Sequence, residues 1–295
     1  MELRHLRYFI AVAEAGSLTE AAERRLYTSQ PSLSRQIRDL ESQVGVELLS
    51  RSVRGVELTA AGQAFLEHAR LVLMHVDAAV ETARRAAQPA RKTFAIGFQT
   101  GHEMTWLAPA MRVLHDELKD IQVTVSSDYS PDLAQALARG RLDLAFLRVE
   151  PGYDLEYHVV DREPLIVLMP SDHQLTTRAA VSPQDLVGQI FIGGANKAAV
   201  LRAVTEDYLR RSGLDIKLDH GVDNMAMALS LVASTRGLAL MPAYAKNLLP
   251  PSVVSRPLEG EAPTIEIAVG YSKTNTSPVL ELFLSRLDEL VGPGR

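Results

Sequence analysis

Between residues 17 and 58 the apolar positions recur at spacings of three and four, and capping residues cut the pattern into short lengths. That periodicity predicts helices rather than strands. Ser17 and Glu20 have the S-x-x-E spacing of a capping box, in which each side chain satisfies an otherwise orphan backbone N–H. A helix should therefore start at Leu18 and end near Arg25 or Leu26. A second start follows at Thr28-Ser29-Gln30-Pro31, because Thr or Ser can cap and proline tolerates the first turn, where its missing N–H is no loss. From there Leu33, Ile37, Leu40 and Val44 point inward, which turns Gln30, Ser32, Ser34, Arg35 and Arg38 outward beside Pro31. Gly45 is the expected stop. Leu48 and Leu49 read as core, and residues 51–56 as a polar turn between short strands with Arg51 and Arg54 at its tip. Two helices, a tight turn and an arginine-bearing hairpin are how a winged helix-turn-helix presents one helix to a DNA groove, with arginine suited to phosphate or minor-groove contact.

Thr59 can cap a long helix running to about Gln88, which Pro89 helps to end. Within it Phe65, Ala69, Val72, Val76, Ala79 and Ala83 follow at steps of 4, 3, 4, 3 and 4, the a/d seam of a coiled coil. A single amphipathic helix packed on its own domain would show the same face. As a coiled coil, the segment predicts a dimer, and two-fold symmetry in turn predicts an interrupted palindrome in the DNA.

After Arg91-Lys92 the pattern becomes alternating strands and helices. Strands are expected at 93–98, 121–127 and 142–148, with helices at 102–118 and 131–139 between them, giving βαβαβ and a mostly parallel sheet. A second unit has strands at 165–169, 190–193, 216–222 and 238–241 and helices at 198–211 and 225–234. A strand at 264–271 crosses back to a closing helix at 278–291. The expected organisation is thus an α/β chain with an α-rich winged helix-turn-helix at 1–58, a coiled-coil linker helix at 59–88, a hinge at 89–92 and a two-lobed domain at 93–295. Lobe I covers about 93–162 and 268–295, and lobe II about 163–267.

Two such lobes make a cleft, and open sheets bind ligands beyond the carboxyl ends of their strands. The turns expected there are Gln99-Thr100-Gly101-His102, Asp128-Tyr129-Ser130 and Gly193-Gly194-Ala195-Asn196-Lys197. Each precedes a helix, so free N–H groups and small hydroxyls converge where an anion, especially a carboxylate, is stabilised. Arg148 ends its strand near the hinge and can pair with a ligand carboxylate or with Glu150 or Glu163.

Net charge is −5, but its distribution matters more than its sum. Residues 1–92 hold 13 Lys/Arg against 11 Asp/Glu, leaving 18 against 25 for the remainder. Between Arg24 and Arg54 six arginines face only Asp39, Glu41 and Glu47, so the basic footprint is local. Zero cysteines exclude disulfides, thiolate metal sites and thiol redox sensing. The eight histidines lack metal-ligand spacing and no G-x-S-x-G or P-loop occurs, so neither metal, cofactor nor catalytic centre is expected. No bilayer-length apolar run and no secretory signal are read, which predicts a cytoplasmic protein without a membrane partner.

MELRHLRYFIAVAEAGSLTEAA, TSQPSLSRQIRDLE, VGVELLSR and LTAAG, with GRLDLAFLR and LVASTRGLALMP farther on, make the chain resemble the LysR-type transcriptional regulators over essentially its whole length. The resemblance implies a periplasmic-binding-protein-like effector domain. It also implies a dimer of dimers that bends promoter DNA and changes its grip when a small molecule enters the cleft, with RNA polymerase as a further partner. MELRHLRYF and IGFQT are most similar to the branch that regulates aromatic-compound catabolism, sensing muconate, benzoate or phenylpropionate. In that branch Thr100 and Ser130 would hold the effector carboxylate, although the Gln99–His102 turn is one residue longer than its counterpart and Gly194–Lys197 lacks that branch's prolines. A solute-binding receptor or an enzyme on the same two lobes is the alternative.

Overall fold

Residues 1–52, 55–86, 92–194, 198–222 and 224–290 are described by a computed structural model, in which Met1–Gln88 and Pro89–Arg295 form two separate units. The first begins with a helix that the sequence pattern did not single out, α1 (Leu3–Ala15). The next, α2 (Leu18–Glu20), continues as a π-helical turn over Ala21–Leu26. Its cap is half of the expected box: Ser17 Oγ accepts from Glu20 N at 3.3 Å, while the Glu20 carboxylate turns away to Arg24. α3 (Gln30–Val44) starts on Ser29, whose hydroxyl accepts from Ser32 N, and ends on Gly45 at φ 84, a left-handed position that glycine adopts without a Cβ clash.

Phe9, Val12, Leu33, Ile37, Leu40 and Leu48 form the centre of this unit, each at most 1% exposed. A short antiparallel pair follows, β1 (Leu49–Ser52) and β2 (Gly55–Leu58), in register Leu49↔Leu58 to Ser52↔Gly55. Glu41 Oε1 fixes the ribbon to α3 by accepting from Leu48 N and Leu49 N at 2.9 and 3.0 Å. Thr59 then starts α4 (Ala60–Ala86): its Oγ1 accepts from Gly62 N at 2.9 Å and donates to Glu47 O at 2.8 Å. Gly62 is required there, because a Cβ at that position would lie 1.9 Å from Leu48 O.

The second unit carries a nine-stranded mixed sheet. β3 (Lys92–Gln99) pairs in parallel with β4 (Ile121–Asp128) and β5 (Leu144–Leu147), with α5 (Glu103–Val113) and α6 (Ser130–Ala138) as crossovers. β7 (Phe191–Gly194) likewise pairs in parallel with β8 (His220–Val222) and β9 (Leu238–Pro242), connected through α7 (Ala199–Arg211) and α8 (Met225–Thr235). Between these sets run the 16-residue β6 (Leu155–Pro170) and the antiparallel β11 (Thr264–Ser272). β10 (Val253–Pro257) pairs with β6, and α9 (Pro278–Ser285) packs Val279, Leu280 and Phe283 into the core beneath β3 and β5.

The strands expected as βαβαβ do pair in parallel, but the sheet as a whole is mixed, because every pairing of β6 and β11 is antiparallel. The physical reason is that both strands pass between the two halves and return, which reverses direction. Two cores result. Phe94, Phe98, Trp106, Phe146 and Phe283 fill one, with Phe98 stacked on Phe146 at 5.0 Å; Leu165–Met169, Phe191, Val232 and Leu240 fill the other. Several elements are shorter than expected: α5 stops at Val113, β8 starts at His220 and α9 stops at Ser285.

Candidate functional site

Two surfaces carry the residues singled out in the sequence, one in each unit. On α3, Gln30, Pro31, Ser32, Arg35 and Arg38 are exposed. Ser34 is not: it is 7% exposed, because at three residues before Ile37 it shares the inward face, where a small hydroxyl fits between helices. Arg38 is held over that position, its Nε donating to Ser34 O at 3.4 Å. Arg24 and Arg25 are bound by Glu20 and Glu14, whereas among the described residues neither Arg35 nor Arg38 meets a carboxylate. The outward guanidiniums of α3 are thus available to an external anion. Arg51 lies in β1, and its side chain, like Arg54, is outside the described residues. The sequence reading gave no role to Tyr27, which is 89% exposed at φ 48 between α2 and α3, and its residue type carries no signal of this.

Along α4 the six seam residues divide. Phe65 packs its ring edge on Phe9 at 5.3 Å and Ala69 is buried in the same unit, so these two serve the amphipathic-helix reading. Val72, Ala79 and Ala83 are exposed and Val76 is half-buried.

In the second unit a cavity opens at the carboxyl ends of β3, β5 and β7. Gln99, Thr100, Ser130, Arg148 and Gly194 line it, together with Glu150, Tyr129, Asn224 and Tyr244. Its free space is about 50 Å³, room for a few water molecules. Ser130 Oγ donates to Gln99 Oε1 at 2.6 Å and accepts from Arg148 N at 2.9 Å. The Arg148 side chain is 6% exposed, and among the described residues its Nε has no hydrogen-bond partner and its guanidinium forms no ion pair with Glu150 or Glu163. Burial lowers its pKa, while Tyr244, Glu163 and Glu150 act in the opposite sense. Burial likewise raises Glu150, an effect that Arg148 reduces, and pushes Tyr244 up to about 12, so that the phenol stays protonated.

Gly101 and His102 are not among the residues lining this cavity. His102 is fully buried; its Nε2 is 3.0 Å from Glu163 Oε2 and its ring centroid 4.0 Å from that of Tyr244. Only Nε2 is bonded; Nδ1 is buried with no hydrogen-bond partner among the described residues. Asn196 and Lys197 lie outside the described residues. Asn224 was missed, although its cap on α8, with Oδ1 accepting from Met227 N at 2.8 Å, is the kind of start signal that residue type gives. Among the described residues no group of three His, Cys, Asp or Glu could hold a metal, and no helix is long and apolar enough to cross a membrane.

Residues 3–63 match the family described as bacterial regulatory helix-turn-helix protein, lysR family, and residues 87–291 the LysR substrate binding domain. The chain is 34% identical to the Hca operon transcriptional activator HcaR of Escherichia coli over 98% of both chains. It is 32% identical to the HTH-type transcriptional regulator AlsR of Bacillus subtilis, over 96% of this chain and 94% of that one. Among solved structures it is similar to CbnR complexed with its target DNA, at 26% identity and TM-score 0.58, covering 99% of this chain and 100% of that one. Full-length BenM matches at 27% identity and TM-score 0.58, over 98% and 96%.

Proposed function

From the premise that this chain belongs to the LysR family of bacterial transcriptional regulators, we propose how its two units divide the work of effector-modulated DNA binding. Gln30, Pro31, Ser32, Arg35 and Arg38 read and position DNA from α3, Ser34 supports Arg38 from beneath, and Arg51 and Arg54 grip the backbone. The exposed polar face of α3 carries this reading, with arginines that meet no carboxylate among the described residues. Val72, Val76, Ala79 and Ala83 form the bare part of a seam for a second copy. Two such pairs make the dimer of dimers, bound to an interrupted palindrome where RNA polymerase can be contacted. The cytoplasm, where the DNA is, is its place.

The cavity takes the effector, a small carboxylate set against Arg148, Thr100 and Ser130. The likeness to the aromatic-catabolism branch supports an aromatic acid. Ligand acts only through unequal affinity for two arrangements of the assembly. The relatives named above are transcriptional regulators matched nearly end to end, which sets aside the receptor and enzyme readings.

Selection of host genomic fragments by the purified protein, with and without metabolite extract, tests the reading. Recovery of a few sites sharing an interrupted palindrome is expected. Retention with no sequence preference, lost uniformly as salt rises, would leave phosphate attraction alone and overturn it.

A further inference from the structure

The anion position at the start of α6 is filled by the protein itself. Gln99 is 4% exposed, and its Oε1 accepts from Ser130 N at 2.8 Å and from Ser130 Oγ at 2.6 Å. These donors are the first N–H of a nine-residue helix and the hydroxyl beside it, a pair suited to a carboxylate oxygen. A neutral amide oxygen occupies them instead.

Charge supplies an independent observation. Arg148 lines the same cavity, is 6% exposed, and its Nε has no partner among the described residues. A guanidinium stays charged, and a buried cation with no direct counter-ion is stabilised by an anion brought to it. Among the described residues lining the cavity it is the sole cation, so one carboxylate is matched and a second would face Glu150. Val200, Leu201, Val222, Met225 and Met241 make an apolar stretch of the wall, beside the polar Thr100, Tyr129, Asn224 and Tyr244.

Resting on the reading of this cavity as the effector site, we propose that Gln99 is a built-in competitor for the effector carboxylate, and that the effectors are compact monocarboxylates with an apolar body. The ligand takes the two Ser130 donors, the Gln99 side chain leaves them, and Arg148 provides the countercharge. One acceptor replaces another, so the charge on Arg148 decides the exchange. The threshold for response is then set by how firmly Gln99 holds its place.

Calorimetric titration of the full chain with acetate, butyrate, benzoate and 3-phenylpropionate, and with benzamide as the uncharged counterpart, tests this. The wild type is expected to bind at least one acid and to ignore benzamide. Gln99→Ala is expected to bind the same acid about tenfold tighter. Gln99→Glu, which fixes a carboxylate on the same donors, is expected to bind it at least tenfold more weakly and to adopt the ligand-bound footprint on DNA without ligand. Circular dichroism checks both folds, and the near-isosteric Gln99→Glu carries the test if Gln99→Ala unfolds. A folded Gln99→Ala that binds no tighter, or a Gln99→Glu that binds as well as wild type, overturns the competitor while leaving the cavity as a carboxylate site. No acid binding to wild type or to Gln99→Ala overturns the carboxylate reading and the competitor together.

Discussion

His102 Nε2 lies 3.0 Å from Glu163 Oε2, a buried bond that ties the turn after β3 to the strand running between the two cores of the second unit. Removing one partner of a buried hydrogen bond costs about 1–3 kcal/mol, because the other loses both water and acceptor. Glu163→Ala should lower stability by that amount and Glu163→Gln, which keeps an acceptor, by less. Trp106 is the only tryptophan and is fully buried against Phe146, so its fluorescence during urea unfolding reports this unit directly.

Arg35 stands exposed on α3 and meets no carboxylate among the described residues. Arg35→Ala should weaken operator binding by about 1–3 kcal/mol and, if its contact is to a phosphate, reduce the slope of log affinity against log salt by about 1. Affinity for the effector should stay unchanged. Equal losses at both sites, measured by DNA retention and by titration, would contradict separate units.

Helix α3 was legible because its signals are local: Ser29 caps, Pro31 fits the first turn, Gly45 stops, and Leu33, Ile37 and Leu40 repeat on one face. Ser34 was misread because residue type favoured the surface while helical phase favoured the core. The first half of β6 was invisible for a different reason. Residues 155–164 carry Glu156, Asp161, Arg162 and Glu163, and only pairing with β11, about a hundred residues away in sequence, makes them a strand. The Gln99–Ser130 bond is likewise tertiary. Both residues were candidates for the ligand, and nothing local indicates that they bind each other.

Gly62 sits where an added Cβ would approach Leu48 O to 1.9 Å. Gly62→Ala must push α4 from the loop before β1, at about 1–3 kcal/mol of overpacking. Thermal unfolding followed by helical circular dichroism in the full chain should show the transition of the 1–88 unit moved down while Trp106 fluorescence keeps its midpoint.

Glu150 is raised above its ordinary value near 4.5, first by burial, with Arg148 pulling the other way. A carboxyl raised on folding holds its proton longer in the native state, so stability is complete below the unfolded value and declines as pH rises through the folded one. Glu150→Gln removes that dependence. The variant should be more stable than wild type at pH 7, with the difference closing toward pH 4; a difference independent of pH would show that Glu150 is not the titrating group.

The core containing Phe94, Phe98 and Trp106 is assembled from two distant stretches, because Ile267, Val269, Leu280 and Phe283 complete it. On the ribosome, therefore, β3–β5 must wait with an apolar surface uncovered while the whole Leu165–Ile265 core is made. That second core, contiguous in sequence, can close first. Delay between these two events, rather than the strength of either core, then sets how long the nascent chain is exposed to aggregation and to chaperones.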